Sequence, residues 1–298
     1  MDSPTVVVAD PAISRGGIVS AYLALTKPRI IELLLITTVP AMVLAAGGWP
    51  GWWLVGSTLI GGTLSAGGAN ALNNWFDRDI DEVMRRTRRR PLPRHRIAPG
   101  DALRFGVGLG VAGFVWLWIF TNPLAALIST AALLFYVFVY TAGLKRRSVQ
   151  NIVIGGAAGA APVLVGWAAV RGDVGLAAWI LFAIVFYWTP PHFWALALRY
   201  ESDYAAAGVP MLPVVKGVEA TTRSMLVYSG TMVLISLMLV PVAGMGWIYL
   251  MAAIGTGGWF LAETIRVRLD PSRAMKLFTA STVYLSLVFA AVVVDVLI

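Results

Sequence analysis

A chain of 298 residues that is 58% hydrophobic and 13% charged is not a soluble globular domain, which carries roughly 25% charged residues. With no cysteine, disulfides, thiolate metal sites and cysteine nucleophiles are excluded. The net charge of +8 would suit a nucleic-acid binder, but the cations are distributed as in a membrane protein, so no nucleic-acid partner is expected.

Residues 1–20 are polar or mixed and read as a disordered tail; residues 21–298 read as one transmembrane domain. Nine apolar spans follow, at about 30–48, 52–72, 103–121, 123–142, 151–170, 177–197, 225–244, 247–265 and 277–297. In lipid every backbone group must be bonded within its own segment, so spans this long are expected to be helices. Placing the N-terminus on the cytoplasmic side leaves only Arg171, of 23 Lys and Arg residues, outside. That bias orients a plasma-membrane protein with its C-terminus outside. The expected fold is therefore all-α, a multi-pass bundle of about nine helices in a lipid bilayer.

Span two runs into a dense polar stretch, Asn70-Ala-Leu-Asn73-Asn74-Trp-Phe-Asp77-Arg78-Asp79-Ile80-Asp81. A basic run from Arg85 to Arg90 follows, then Pro91. On a helix continuing from span two, Asn73, Asp77 and Asp81 recur at i, i+4 and i+8 and fall within an arc of about 80°. Asn70 lies near the same line. Asp79 points elsewhere and reads as a charge paired with a neighbouring arginine. A carboxamide and two carboxylates on one face form a hard-oxygen surface suited to Mg²⁺, which keeps several waters and shares carboxylates with substrate phosphates. The arginines one to two turns on match phosphate oxygens. The plainer alternative is a solvated, salt-bridged helix end. It is disfavoured because ionisable groups continuing an apolar span are costly and mark function.

Span four closes on Lys145-Arg146-Arg147, read either as a cytoplasmic anchor or, for Lys145 and Arg146, as diphosphate ligands. Gly155, Gly156 and Gly159 on span five permit close helix packing. Inside span six, Pro190 and Pro191 are expected to break the helix, with His192 an intramembrane imidazole beside the break. That histidine is either a packed, hydrogen-bonded residue or a substrate contact. After span six comes a second acidic stretch, Arg199-Tyr200-Glu201-Ser202-Asp203-Tyr204. Asp203 and Glu201 are candidates for a second metal, the alternative being an ordinary polar loop. The two acidic stretches lie four spans apart, as a duplicated four-helix unit plus one helix would place them around one cytoplasmic cavity.

These segments resemble the UbiA superfamily of intramembrane prenyltransferases. Its Asn-x-x-x-Asp-x-x-x-Asp motif after the second helix is matched by Asn73, Asp77 and Asp81. Its Asp-x-x-x-Asp motif after the sixth helix is matched at Asp203 but has Arg199 in place of the first Asp, with Glu201 the candidate substitute. Further likeness runs through Thr26-Lys27-Pro28-Arg29, Tyr140-Thr141, Leu144 to Arg147, Asn151 to Gly156, Pro190 to Trp194, and Asp203-Tyr204 with Ala207 to Pro213. It covers nearly all of residues 20 to 298 and is similar in particular to the branch that farnesylates haem.

The resemblance implies a UbiA-type bundle with a cavity open to the cytoplasmic side. It implies transfer of a farnesyl group from farnesyl diphosphate to a vinyl group of haem B, with Mg²⁺ as cofactor. The product, haem O, would pass to a haem A synthase or a terminal oxidase. By the same resemblance Asn73, Asp77 and Asp81, with Asp203 and Glu201, hold metal. Arg86, Arg90, Lys145 and Arg146 bind diphosphate, His192 contacts haem, and Asn70 joins the catalytic set. Two rivals stand beside this reading. One is a UbiA-type enzyme for an aromatic or quinone precursor, against which Arg199 speaks. The other is an ion-coupled transporter, which has no need of arginines one turn past the acids.

Overall fold

A computed structural model describes residues 15–298, with the side chains of residues 15–16 and 29–35 outside the description; Arg29 falls among these. Among the described residues the chain is all-helical. The order is α1 (Arg15–Thr26), α2 (Pro28–Ala46), α3 (Trp52–Phe76), α4 (Arg78–Val83), α5 (Pro99–Phe120), α6 (Pro123–Leu134), α7 (Asn151–Arg171), α8 (Leu176–Arg199), α9 (Glu201–Ala206), α10 (Leu212–Ala243), α11 (Trp247–Leu269) and α12 (Ala274–Leu297). α6 continues as a π-helical stretch, Phe135–Leu144.

Among the described residues seven helices are long and apolar enough to cross a membrane: α5, α6 with its continuation, α7, α8, α10, α11 and α12 with its lead-in turn. The chain is a multi-pass membrane protein. The first two expected spans correspond to α2, part of whose length lies outside the described side chains, and α3, which is rich in Gly, Ser, Thr and Asn. That composition suits an interior helix, and α3 is buried along much of its second half. Exposed Trp52, Trp53, Trp118, Trp179 and Trp247 sit near helix ends at the short links, as interfacial tryptophans do.

Glycine sets the tightest crossing. A Cβ on Gly68 would lie 2.7 Å from the Gly106 carbonyl oxygen and 2.8 Å from the Gly110 nitrogen, and one on Gly113 would lie 2.8 Å from the Ser65 nitrogen. α3 and α5 thus meet backbone to backbone. The other half of the bundle packs around Tyr249, Phe260, Tyr284 and Phe289, all fully buried.

Two expectations change here. The tail assigned to residues 1–20 lies outside the described residues up to 14; from Arg15 the chain is helical. Ala21 and Leu25 of α1 are buried against Ala71, Leu92, Ile97 and Ala102, a contact no local pattern announces. Pro190 and Pro191 do not break α8, which runs unbroken from Leu176 to Arg199. The segment is held from outside: Trp188 Nε1 donates to the Ser281 carbonyl at 2.7 Å, and His192 engages the same residue of α12.

Candidate active site

The site is built at the C-terminal end of α3. Asp77 closes α3 with φ −91° and ψ 2°, and α4 restarts at Arg78. The bend leaves the i, i+4 bonding intact: the Asp77 N–H donates to Asn73 O and the Asp81 N–H to Asp77 O, each at 2.9 Å. Asn73, Asp77 and Asp81 therefore keep their common line, and all three are at most 2% exposed.

Each of these side chains meets a cation. Asn73 Oδ1 accepts from Lys27 Nζ at 2.7 Å. Asp77 Oδ2 accepts from Lys145 Nζ and, at 2.8 Å, from Asn73 Nδ2. Asp81 Oδ2 accepts from the Arg90 guanidinium at 2.7 Å. Two carboxylates thus face three cationic side chains, and the excess is felt. Burial first, then Arg90 and Lys145, push the Lys27 ammonium well below its usual range. A largely buried pocket crowded with cations favours an anion.

Lys27 is the residue that spacing alone did not mark. It lies between α1 and α2 with φ 53° and ψ 62°, a left-handed conformation costly for a residue with a Cβ. Neighbours hold it there. Asn70 Nδ2 donates to Thr26 O and Asn74 Nδ2 to Leu25 O, each at 3.0 Å, so α3 carboxamides satisfy the last carbonyls of α1. Asn70, expected with the catalytic acids, instead holds the turn that presents Lys27.

Lys145 arrives through the π-helical stretch. Its N–H donates to Tyr140 O, and Thr141 Oγ1 to Tyr136 O, both five residues back at 2.8 Å. π windings cluster at functional sites. This one points Thr141 at the site, where its hydroxyl accepts from Asn73 Nδ2 at 3.0 Å. It also stacks Tyr136 on Tyr140, with centroids 5.3 Å apart. Gly155 makes room, since a Cβ there would lie 2.3 Å from the Tyr140 ring.

Arg146 lies at the edge of the site, with Nη2 3.9 Å from Asp77 Oδ1. Its guanidinium grips Asp79 with two contacts of 2.6 Å and donates to Phe76 O at 2.9 Å, confirming Asp79 as a paired charge. The Arg146 guanidinium holds the Asp79 carboxyl below its ordinary value. These groups border an open cleft of about 410 Å³, also lined by Trp75, Phe76, Arg78, Thr141 and Ala142.

The donor set fits a divalent ion as a carboxylate-poor site. Asn73, Asp77 and Asp81 supply hard oxygens, and Asp77 Oδ1 is buried without a hydrogen-bond partner. Among the described residues no three His, Asp or Glu side chains converge on one point. Asp203, expected as a second-metal ligand, instead faces Arg85 and Arg86. Glu201 is half-buried at the start of α9 and completes no such cluster. Arg86 reaches Tyr204, at 3.3 Å between guanidinium and phenol oxygen.

His192 is packed and hydrogen-bonded. It is 6% exposed, lies between Trp188 and Phe278 with both centroids at 4.3 Å, and shares a 2.6 Å hydrogen bond between Nδ1 and Ser281 Oγ. With both ring faces covered and Nδ1 engaged, only Nε2 is left to meet iron. His192→Ala is expected to lower the melting temperature, through a cavity and a lost hydrogen bond of together about 2–3 kcal/mol. Haem affinity by spectral titration is expected to stay within about twofold; a loss of tenfold or more would restore the iron-contact role.

The sequence matches the UbiA prenyltransferase family over residues 34–288. It is 56% identical over 280 residues to the protoheme IX farnesyltransferase of Clavibacter sepedonicus, covering 92% of each chain. Among solved structures it is similar to a digeranylgeranylglyceryl phosphate synthase, with TM-score 0.77 and 20% identity over 94% of this chain and 98% of that one. It is also similar to a UbiA homolog from Archaeoglobus fulgidus bound to DMAPP and Mg²⁺, with TM-score 0.65 and 16% identity over 91% and 99%. At those identities the structures speak for the fold alone.

Proposed function

Because the chain belongs to the UbiA prenyltransferase family, we propose that this prenyltransferase moves a farnesyl group from farnesyl diphosphate to a vinyl group of haem B, giving haem O. The observation that carries the reading is the cluster in which Lys27, Lys145 and Arg90 outnumber the buried Asp77 and Asp81. A diphosphate supplies the negative charge this cluster lacks. The acceptor rests on the name of the 56% identical relative.

Asn73, Asp77 and Asp81 would hold Mg²⁺, whose charge stabilises the departing diphosphate. Lys27, Lys145 and Arg90 neutralise the phosphate oxygens as the C1–O bond breaks and the electron pair leaves with oxygen. Tyr136 and Tyr140 offer ring faces to the allylic cation that remains. The vinyl π electrons close the new C–C bond, water captures the resulting cation beside the porphyrin, and a proton is lost to solvent. Burial of the acids keeps water from the donor and limits simple hydrolysis. No covalent nucleophile is needed.

By the positive-inside rule the site opens to the cytoplasm of a plasma membrane, where the soluble diphosphate can leave. The apolar product would stay in the bilayer for a haem A synthase or a terminal oxidase.

The test uses purified protein in detergent with haem B, farnesyl diphosphate and Mg²⁺, read by mass spectrometry. The expected product is haem gaining one farnesyl and one water, with EDTA lowering its rate at least about a hundredfold. Prenylation of 4-hydroxybenzoate without a haem product would reassign the acceptor. No product from either would defeat the proposal.

A further inference from the structure

We infer that Asp203 is a positioning residue that fixes Arg86 for the diphosphate, and not a metal ligand. The inference rests on the prenyl-transfer reading above. Both oxygens of the buried Asp203 carboxylate face the arginine loop: Oδ1 accepts from Arg85 Nε at 3.2 Å, and Oδ2 from the Arg86 backbone N–H at 3.3 Å. The neighbouring Tyr204 phenol accepts from the Arg86 guanidinium. That guanidinium also lies 5.9 Å from the ring centroids of both Tyr200 and Tyr204. One arginine is thus held at its backbone by a carboxylate and at its head by a phenol and two aromatic rings.

The hold has a foundation. Ile80 and Met84, in and just after the first acidic stretch, pack with Tyr204, Val209 and Met211, in and just after the second, and with Ile152 of α7. It also has an aim, for the same loop carries Arg90, whose guanidinium reaches Asp81 at 2.7 Å. An arginine on a free loop loses side-chain freedom when it grips a phosphate. One already fixed loses less and binds tighter. A metal at Asp203 would have to displace Arg85, with no third carboxylate to help, and Arg199 in the motif adds charge of the wrong sign.

The deciding experiment is binding of inorganic diphosphate and Mn²⁺ to the full-length protein in detergent, with bound Mn²⁺ counted by electron paramagnetic resonance. Asp203→Asn is expected to weaken diphosphate binding about tenfold while the Mn²⁺ count stays at the wild-type value. A lost Mn²⁺ equivalent would overturn the inference, and so would unchanged affinity. Adding Arg86→Ala to Asp203→Asn should cost little more than Arg86→Ala alone; fully additive losses would count against it. If Asp203→Asn does not fold, Arg85→Gln decides, since that side chain is 75% exposed and carries the same ion pair. Its diphosphate affinity must fall, and an unchanged value rejects the inference. A wild-type protein that binds no diphosphate would refute the transferase reading itself, which sets that failure apart.

Discussion

Asp77→Asn is expected to lower turnover by about a thousandfold or more. The carboxylate is fully buried and takes hydrogen bonds from Lys145 and Asn73. Asparagine keeps the shape, removes the charge, and turns an NH₂ group into a pocket already filled with donors. Losing one well-placed electrostatic partner typically costs 10²–10³ in rate, and here the same carboxylate is the central metal donor. Asp77→Ala goes further. It leaves the partly buried Lys145 without its ion-pair partner, which costs about 1–3 kcal/mol, so alanine confuses lost chemistry with lost stability. Turnover and detergent melting curves on both variants separate the two. Asp77→Asn working at the wild-type rate would remove the metal and diphosphate site from this place.

Gly68→Val is expected to cost about 3 kcal/mol or more, enough to leave little folded protein. Its Cβ would meet the Gly106 oxygen and the Gly110 nitrogen below 3 Å, and backbone atoms cannot turn aside as a side chain can. α3 and α5 would have to separate, and α3 carries Asn73 and Asp77 at its end. Gly108→Ala is the control. It lies on the same helix α5 with open space around it and should be neutral or slightly stabilising. Size-exclusion profiles and thermal melts of the two proteins make the comparison. Matching profiles would mean that the two helices are not held at backbone contact.

What could be read in the residues was what repeats. Apolar stretches gave the helices, and the i, i+4 recurrence of Asn73, Asp77 and Asp81 survived a bend in the chain because the backbone bonding kept its step. The isolated Asp79 found an arginine as expected. What stayed hidden depends on distant partners. The left-handed turn at Lys27 exists only because Asn70 and Asn74 meet the end of α1, and α1 itself is stable through contacts with residues 71 to 102. The π winding of Phe135–Leu144 has no periodic signature. Arg146 and Asp203 both carried the charge their expected roles required, but each found an opposite charge from another segment first. Pro190 and Pro191 carry a breaking signal that α12 overrules.

The order of synthesis adds a constraint of its own. The carbonyls of Leu25 and Thr26 wait for asparagines 49 and 44 residues downstream, so the Lys27 turn sets only after α3 has left the ribosome and entered the bilayer. Asp77 then waits for Lys145, another 68 residues, and the arginine loop waits longer still for Asp203, 118 residues after Arg85. For that interval a nascent chain carries unpaired acids at the membrane face. A chain that stopped before residue 145 would keep Asp77 without its lysine.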